Sequence, residues 1–145
     1  MKWYPLVVTT LQDVGLAVKQ LQWRHHRESN TRLATVGLSL VQWDVLRHLA
    51  ANPDASLHRL AELTFQTDQS MGELAKRMID RGLLERVDGA GRAARHRLTH
   101  DGEKARSAGA AIVDGVLGDS LGHLSQRELT TLYDLLVLAQ TNNPE

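Results

Sequence analysis

One segment leaves this chain little freedom of fold. Met71, Leu74, Ala75, Met78 and Ile79 follow the spacing i, i+3, i+4, i+7, i+8 without a miss, which marks one face of an α-helix. Gln69, Ser70, Glu73, Lys76 and Arg77 fall on the other face. The spacing predicts a helix over residues 68–81, closed by Gly82 as its C-cap. Immediately beyond, Leu83, Leu84 and Val87 read as a strand, Asp88-Gly89-Ala90-Gly91 as a flexible turn, and Arg95-His96-Arg97-Leu98 as a returning strand. A single hairpin is marginal in water, so this helix and ribbon must dock on further helices.

The sequence supplies them. Ser39 and Gln42 have capping-box spacing, with Leu38 and Trp43 placed as the accompanying hydrophobic staple. Trp43, Leu46, Leu49 and Ala50 extend one apolar face until Asn52-Pro53 stops the helix. Ser56 then caps a short helix with Leu57, Leu60, Ala61 and Leu63 inward. Gln66, Thr67 and Asp68 form a tight turn that provides the next N-cap. Upstream, Val7, Leu11, Val14, Val18 and Leu21 predict an amphipathic helix over 6–27 with a partner helix on one side, and 28–37 reads as a connection. Downstream, Thr99 caps a helix whose inner face uses Ala105, Ala108, Ile112 and Val116. Ser125 and Glu128 open a last helix with a seam of Leu129, Leu132, Leu136 and Ala139. The expected fold is mainly α with a small β-hairpin, a winged helix-turn-helix between helical arms. It forms a single unit over 1–145, with the winged part at 38–98 and helical parts at 1–30 and 99–142.

Composition narrows the function classes. The 145 residues carry no net charge, which at first argues against a nucleic-acid partner, since affinity for phosphates comes largely from Lys and Arg. The charge is sorted, however. Residues 86–97 hold Arg86, Arg92, Arg95 and Arg97 against Asp88 alone, whereas 107–145 hold five acids against Arg127. The absence of cysteine removes disulfides, thiol sensing and Cys-ligated zinc. Apolar stretches fall short of the ~20 residues of a membrane span, and Met-Lys-Trp-Tyr-Pro lacks the apolar core of a secretory signal. A soluble, cytoplasmic chain without membrane contact is the expectation. No Gly-x-Ser-x-Gly elbow, phosphate-binding glycine loop or His-Glu-x-x-His pattern points to an enzyme.

Three segments, in order and in register, resemble the MarR family, the multiple-antibiotic-resistance regulators of bacteria. They are Leu38-Ser39 with Gln42-Trp43 and Val45-Leu46; Leu60-Ala61-Glu62 leading without a gap to Arg81-Gly82-Leu83-Leu84-Glu85-Arg86; and Arg92 followed by Leu98-Thr99 and Gly102. The match runs from about Leu38 to Leu138. Two positions depart from the pattern: Gly91 stands where the family usually has Asp before the wing arginine, and Thr64-Phe65 replaces a common Leu-Gly pair. The first predicts a looser wing, and the second an aromatic anchor in the turn. The resemblance implies a homodimer joined by the first, fifth and sixth helices, which gives the helical parts at 1–30 and 99–142 a dimerisation role, with two winged domains facing successive major grooves. It also implies a small aromatic or acidic ligand that releases the DNA.

The candidate DNA-binding residues are Thr67, Asp68, Gln69, Ser70, Glu73, Lys76, Arg77, Arg92, Arg95 and Arg97. Gln69 suits adenine, Arg77 guanine and Glu73 the amino group of cytosine, each good pair contributing ~1–3 kcal/mol of discrimination. Arg92 at the ribbon tip is placed for a minor groove. Arg95 and Arg97 share one side of a strand and His96 takes the other. The same polar residues would also suit an ordinary solvated face. Gly72, costing about 1 kcal/mol relative to Ala, admits a DNA backbone or the preceding helix, or is merely tolerated. Trp23, His26, Arg27 and Trp43 are candidates for an aromatic-acid pocket, core packing being the plainer role for both tryptophans. The seven histidines show no metal-ligand spacing at His25-His26, and neither metal nor cofactor is expected. The expected function is therefore a sequence-specific regulator binding a pseudo-palindromic operator in double-stranded DNA, read as a repressor released by a ligand. The competing reading is a helical dimer that acts by binding a protein partner.

Overall fold

The computed structural model describes residues 9–87 and 94–141. Six helices and one hairpin follow in the order α1 Leu11–Leu33, a 3-10 turn Ala34–Val36, α2 Leu40–Ala51, α3 Leu57–Leu63, α4 Asp68–Asp80, β1 Leu84–Val87, β2 Arg95–Leu98, α5 His100–Leu121 and α6 Gln126–Gln140. The strands pair antiparallel with Leu84 opposite Leu98, Glu85 opposite Arg97, Arg86 opposite His96 and Val87 opposite Arg95.

Helix starts fall where the side chains dictate. Ser39 accepts from the Gln42 N–H while the Gln42 side chain answers the Ser39 N–H, and Ser125 with Glu128 repeats the arrangement. Each box satisfies two backbone donors that the helix leaves unpaired, and loss of such a cap costs ~1 kcal/mol. Thr10 and Asp13 form a third box. Gly82, at φ 75°, supplies the left-handed residue that ends α4, and the Leu83 N–H closes the motif on the Met78 carbonyl. Thr99 then joins wing to arm: its hydroxyl donates to the Gly82 carbonyl at 2.5 Å and accepts from the Gly102 N–H at 2.9 Å.

The core gathers Leu33, Leu38, Trp43, Leu46, Leu49, Leu60, Met71, Leu74, Met78 and Leu84. α4 contributes Met71, Leu74, Ala75 and Met78 to it, with Ile79 packed alongside. Full burial of one such side chain contributes about 1.5–3 kcal/mol, so the winged segment organises around the face the periodicity marked.

Several expectations are corrected. The segment 28–37 is not a connection: α1 continues to Leu33, and a 3-10 turn follows. Its polar residues are used to pin the helix, since the Asn30 side chain accepts the Leu40 N–H at 2.8 Å and Arg32 pairs with Asp119 at 2.5 Å. Val7 and the expected start at residue 6 lie outside the described residues. α5 turns in Gly102, Gly109, Val113, Val116 and Ser120, leaving Ala108 exposed. Ala105, Ile112 and Val116 face the core as expected; only Ala108 does not, and the inner face also takes in Gly109, which makes room for Trp43: a Cβ there would lie 2.3 Å from Trp43 Cδ1. Phe65 is no anchor, being 97% exposed. Trp23 does not pack in the core either, being 56% exposed. Nor does α3 press on Gly72, where an added Cβ would meet nothing within 4 Å.

Candidate nucleic-acid interface

α4 presents two opposed faces. Its apolar side is sunk into the core, with α3 and β1 packed against the helix, which leaves Gln69, Ser70, Glu73, Lys76 and Arg77 exposed along the other side. Thr67 uses its hydroxyl as the N-cap, accepting from the Ser70 N–H at 3.1 Å. Asp68 lies 2.8 Å from His58 Nδ1, a contact across the α3–α4 junction. Asp68, with Glu62, raises the His58 pKa above its ordinary value, the hydrogen bond with Asp68 being the larger cause. When protonated, His58 offsets the carboxylate nearest the start of the helix. Gln69 Nε2 and Glu73 Oε1 are 3.5 Å apart, so each can exchange this weak contact for another. Lys76 and Arg77 make no ion pair with another described residue.

The hairpin stands beside this face. Arg97 is exposed and pairs with Glu85 across the strands, and Arg95 is half-buried. His96 points the opposite way and is 5% exposed. Burial, with Arg86 nearby, lowers its pKa, and its Nδ1 has no hydrogen-bond partner among the described residues. Arg92 lies outside the described residues. A depression of about 440 Å³ between α4 and the hairpin is lined by Lys76, Arg86, Arg95, His58 and Gly72 among others, so cationic groups from three elements meet in one concavity.

Residues that the spacing did not reveal hold this interface in place. Arg81 donates to the Gly37 carbonyl at 2.6 Å and to Gln42 Oε1 at 3.3 Å, tying the end of α4 to the start of α2. Its signal in the sequence was only its place beside Gly82. His58 had none, because its partner lies ten residues away in another helix.

The four residues considered for a small ligand divide into two places. Trp23 stacks on His26, with ring centroids 5.7 Å apart, and His26 is within 3.1 Å of the Asn30 amide. Trp23 and Arg27 border an open depression of about 410 Å³ along α1. Trp43 is instead buried against α5, its indole N–H donating to the Arg106 carbonyl at 3.0 Å, with the Arg47 guanidinium 4.9 Å from its ring centroid. Among the described residues, no three His, Asp or Glu side chains are grouped to hold a metal ion, and no helix is long and apolar enough to cross a membrane.

The sequence and the fold both have counterparts among known proteins. A family model described as the MarR family matches residues 36–93. The transcriptional regulator HosA of Escherichia coli is 31% identical over 117 residues, covering 79% of this chain and 81% of that protein. A mutant MarR from E. coli, solved in complex with operator DNA, superposes with a TM-score of 0.79 at 16% identity, covering 92% of this chain and 100% of that one. A Mycobacterium tuberculosis MarR family protein in complex with salicylic acid gives a TM-score of 0.73 at 21% identity, covering 92% and 98%. The chain belongs to the MarR family of transcriptional regulators. That is a class of regulators rather than of enzymes.

Proposed function

We propose that two copies of this chain bind a pseudo-palindromic operator in double-stranded DNA, with α4 of each copy in a major groove, and that the complex represses transcription until a small ligand releases it. The observation that carries this reading is the exposed row Gln69, Ser70, Glu73, Lys76 and Arg77 on a helix whose opposite face is locked into the core beside a basic hairpin. Such a helix can enter a groove about 12 Å wide and present its N-terminal side chains to base edges. Gln69, Ser70, Glu73 and Arg77 would then read bases, with Thr67 and Asp68 setting the helix start. Lys76, Arg95 and Arg97 would meet phosphates, and Arg92 the flanking minor groove.

Pairing of two copies is supported by apolar surface that the single chain leaves open. Leu11, Val14, Leu16 and Val18 of α1 and Tyr133, Leu135, Leu136 and Leu138 of α6 are all exposed, and α6 buries no residue at all. Helical parts at 1–30 and 99–142 thus serve dimerisation and the part at 38–98 serves DNA. The ligand half of the reading draws on the salicylic acid complex of the mycobacterial relative and on the stacked Trp23 and His26 with Arg27, an aromatic surface beside a cation.

Selection of bound duplexes from a random pool tests the proposal. The expected result is an inverted repeat with half-sites about 10 bp apart. Recovery of no enriched sequence would favour a helical dimer that binds a protein instead.

A further inference from the structure

The turn between α3 and α4 carries an aromatic side chain that the fold does not use. Phe65 is 97% exposed, and its backbone, at φ 57°, is the one non-glycine residue with positive φ among the described residues. A bulky residue is a steric outlier there, where glycine fits freely. The turn holds itself without the ring. The Gln66 N–H donates to the Ala61 carbonyl at 2.8 Å, the Thr64 hydroxyl to the Leu60 carbonyl at 2.6 Å, and the Gln66 amide to the Thr64 hydroxyl at 2.8 Å. Neither burial nor backbone geometry accounts for phenylalanine at this position.

Its surroundings indicate what the ring meets. Two residues on, Thr67 caps α4, and the exposed residues Asp68, Gln69 and Ser70 follow. A phenyl ring has no donor for a phosphate, and its exposed neighbours Glu62 and Asp68 are acidic, so the sugar-phosphate backbone is a poor match. In a major groove one base alone offers an apolar group, the C5-methyl of thymine, and Phe is among the side chains suited to it. We propose that Phe65 is a specificity-determining residue whose ring packs on a thymine methyl at one position in each half-site, an inference that rests on the DNA-binding reading above.

The test uses the full chain and the duplex selected from the random pool, with each thymine replaced singly by uracil, which lacks the methyl. The wild-type protein is expected to lose affinity about fourfold, the transfer value of one methyl group, at one thymine per half-site. Phe65→Gly and Phe65→Asn both accept the left-handed backbone. Both should lose affinity for the thymine duplex and show no further loss with uracil at that position, while retaining discrimination at the bases read by Gln69 and Arg77. Their thermal midpoints should equal or exceed that of the wild type. Variants that keep wild-type affinity and uracil sensitivity, or that both melt several degrees lower, overturn the proposal. Wild-type protein that binds no duplex removes the DNA-binding reading and this inference with it.

Discussion

The winged segment and the helical arms of this chain solve the burial problem differently. Between Leu38 and Leu84, nearly every apolar side chain that the helical period points inward is covered by the same chain, and Leu46, Leu60, Met71 and Met78 retain no exposed surface. In α6 the period is equally regular, yet no residue is buried, and Leu135 and Leu138 stay more than half exposed. Regular apolar spacing therefore says that a face will be covered without saying by what. One region is complete in a single copy, and the other leaves an apolar face open, which the proposed pairing would cover.

The largest expected effect comes from attacking the open half. Leu132→Asp with Leu136→Asp should yield a monomer by sedimentation and lower affinity for a two-half-site duplex by about 100-fold, because the second half-site no longer binds intramolecularly. Binding to one half-site should survive. A variant that still sediments as a dimer would place the interface elsewhere.

Next is the closed half. Gly109→Ala would set a Cβ 2.3 Å from Trp43 Cδ1 and 2.8 Å from its Nε1. Overpacking of this kind should lower unfolding free energy by about 1–3 kcal/mol in chemical denaturation. An unchanged midpoint would mean that α5 is less firmly seated than the contact implies.

A smaller effect concerns pH. Burial lowers the pKa of His96 in the wing and of His25 between α1 and α5. Because the folded state releases these protons more readily than the unfolded chain, their contribution to stability is complete above the ordinary value of 6.5 and declines as pH falls through that value toward the folded pKa. His58, whose pKa is raised, acts in the opposite sense: its contribution is full at low pH and is lost as pH rises through its folded value. Burial likewise lowers the pKa of the half-buried His48, so buried His96 and half-buried His25 and His48 act against His58 alone, and the melting temperature should drop between about pH 7 and about pH 5. His96→Leu, which also removes the unpartnered Nδ1, should flatten that slope. An equal slope in the variant would assign the pH response to His25 and His48 instead.

The smallest effect separates fold from function at one residue. Gly72→Ala meets open space and should stabilise α4 by about 1 kcal/mol. If a duplex backbone closes on that position, affinity falls even as the melting temperature rises; unchanged affinity would mark the glycine as merely tolerated.

Much of this architecture was legible in the sequence, for identifiable reasons. Capping boxes at Ser39 and Ser125 are local chemistry, as are the stop at Pro53 and the left-handed Gly82. Legibility failed where the deciding partner is remote. The polar residues of 28–33 look like a loop until Asn30 and Arg32 find Leu40 and Asp119. On α5, apolar counting found Ala105, Ile112 and Val116 but took Ala108 for an inner residue and overlooked Gly109, a glycine that admits a tryptophan from α2. Within the candidate interface, periodicity separated the exposed residues of α4 from the buried ones correctly. It was silent on His58 and Arg81, whose roles depend on contacts 10 and 44 residues away. Phe65 was misjudged because an aromatic residue in a turn is ordinarily a packing residue.

The most direct test of the central claim is the salt dependence of binding to the selected duplex. Contact of Lys76, Arg95 and Arg97 with phosphates would release counterions, so the logarithm of the affinity should fall linearly with the logarithm of salt concentration, with a slope of about −0.9 per phosphate contacted. Lys76→Ala should reduce that slope by about one. Affinity that stays flat with salt, or no binding to any duplex at low ionic strength, would contradict the account.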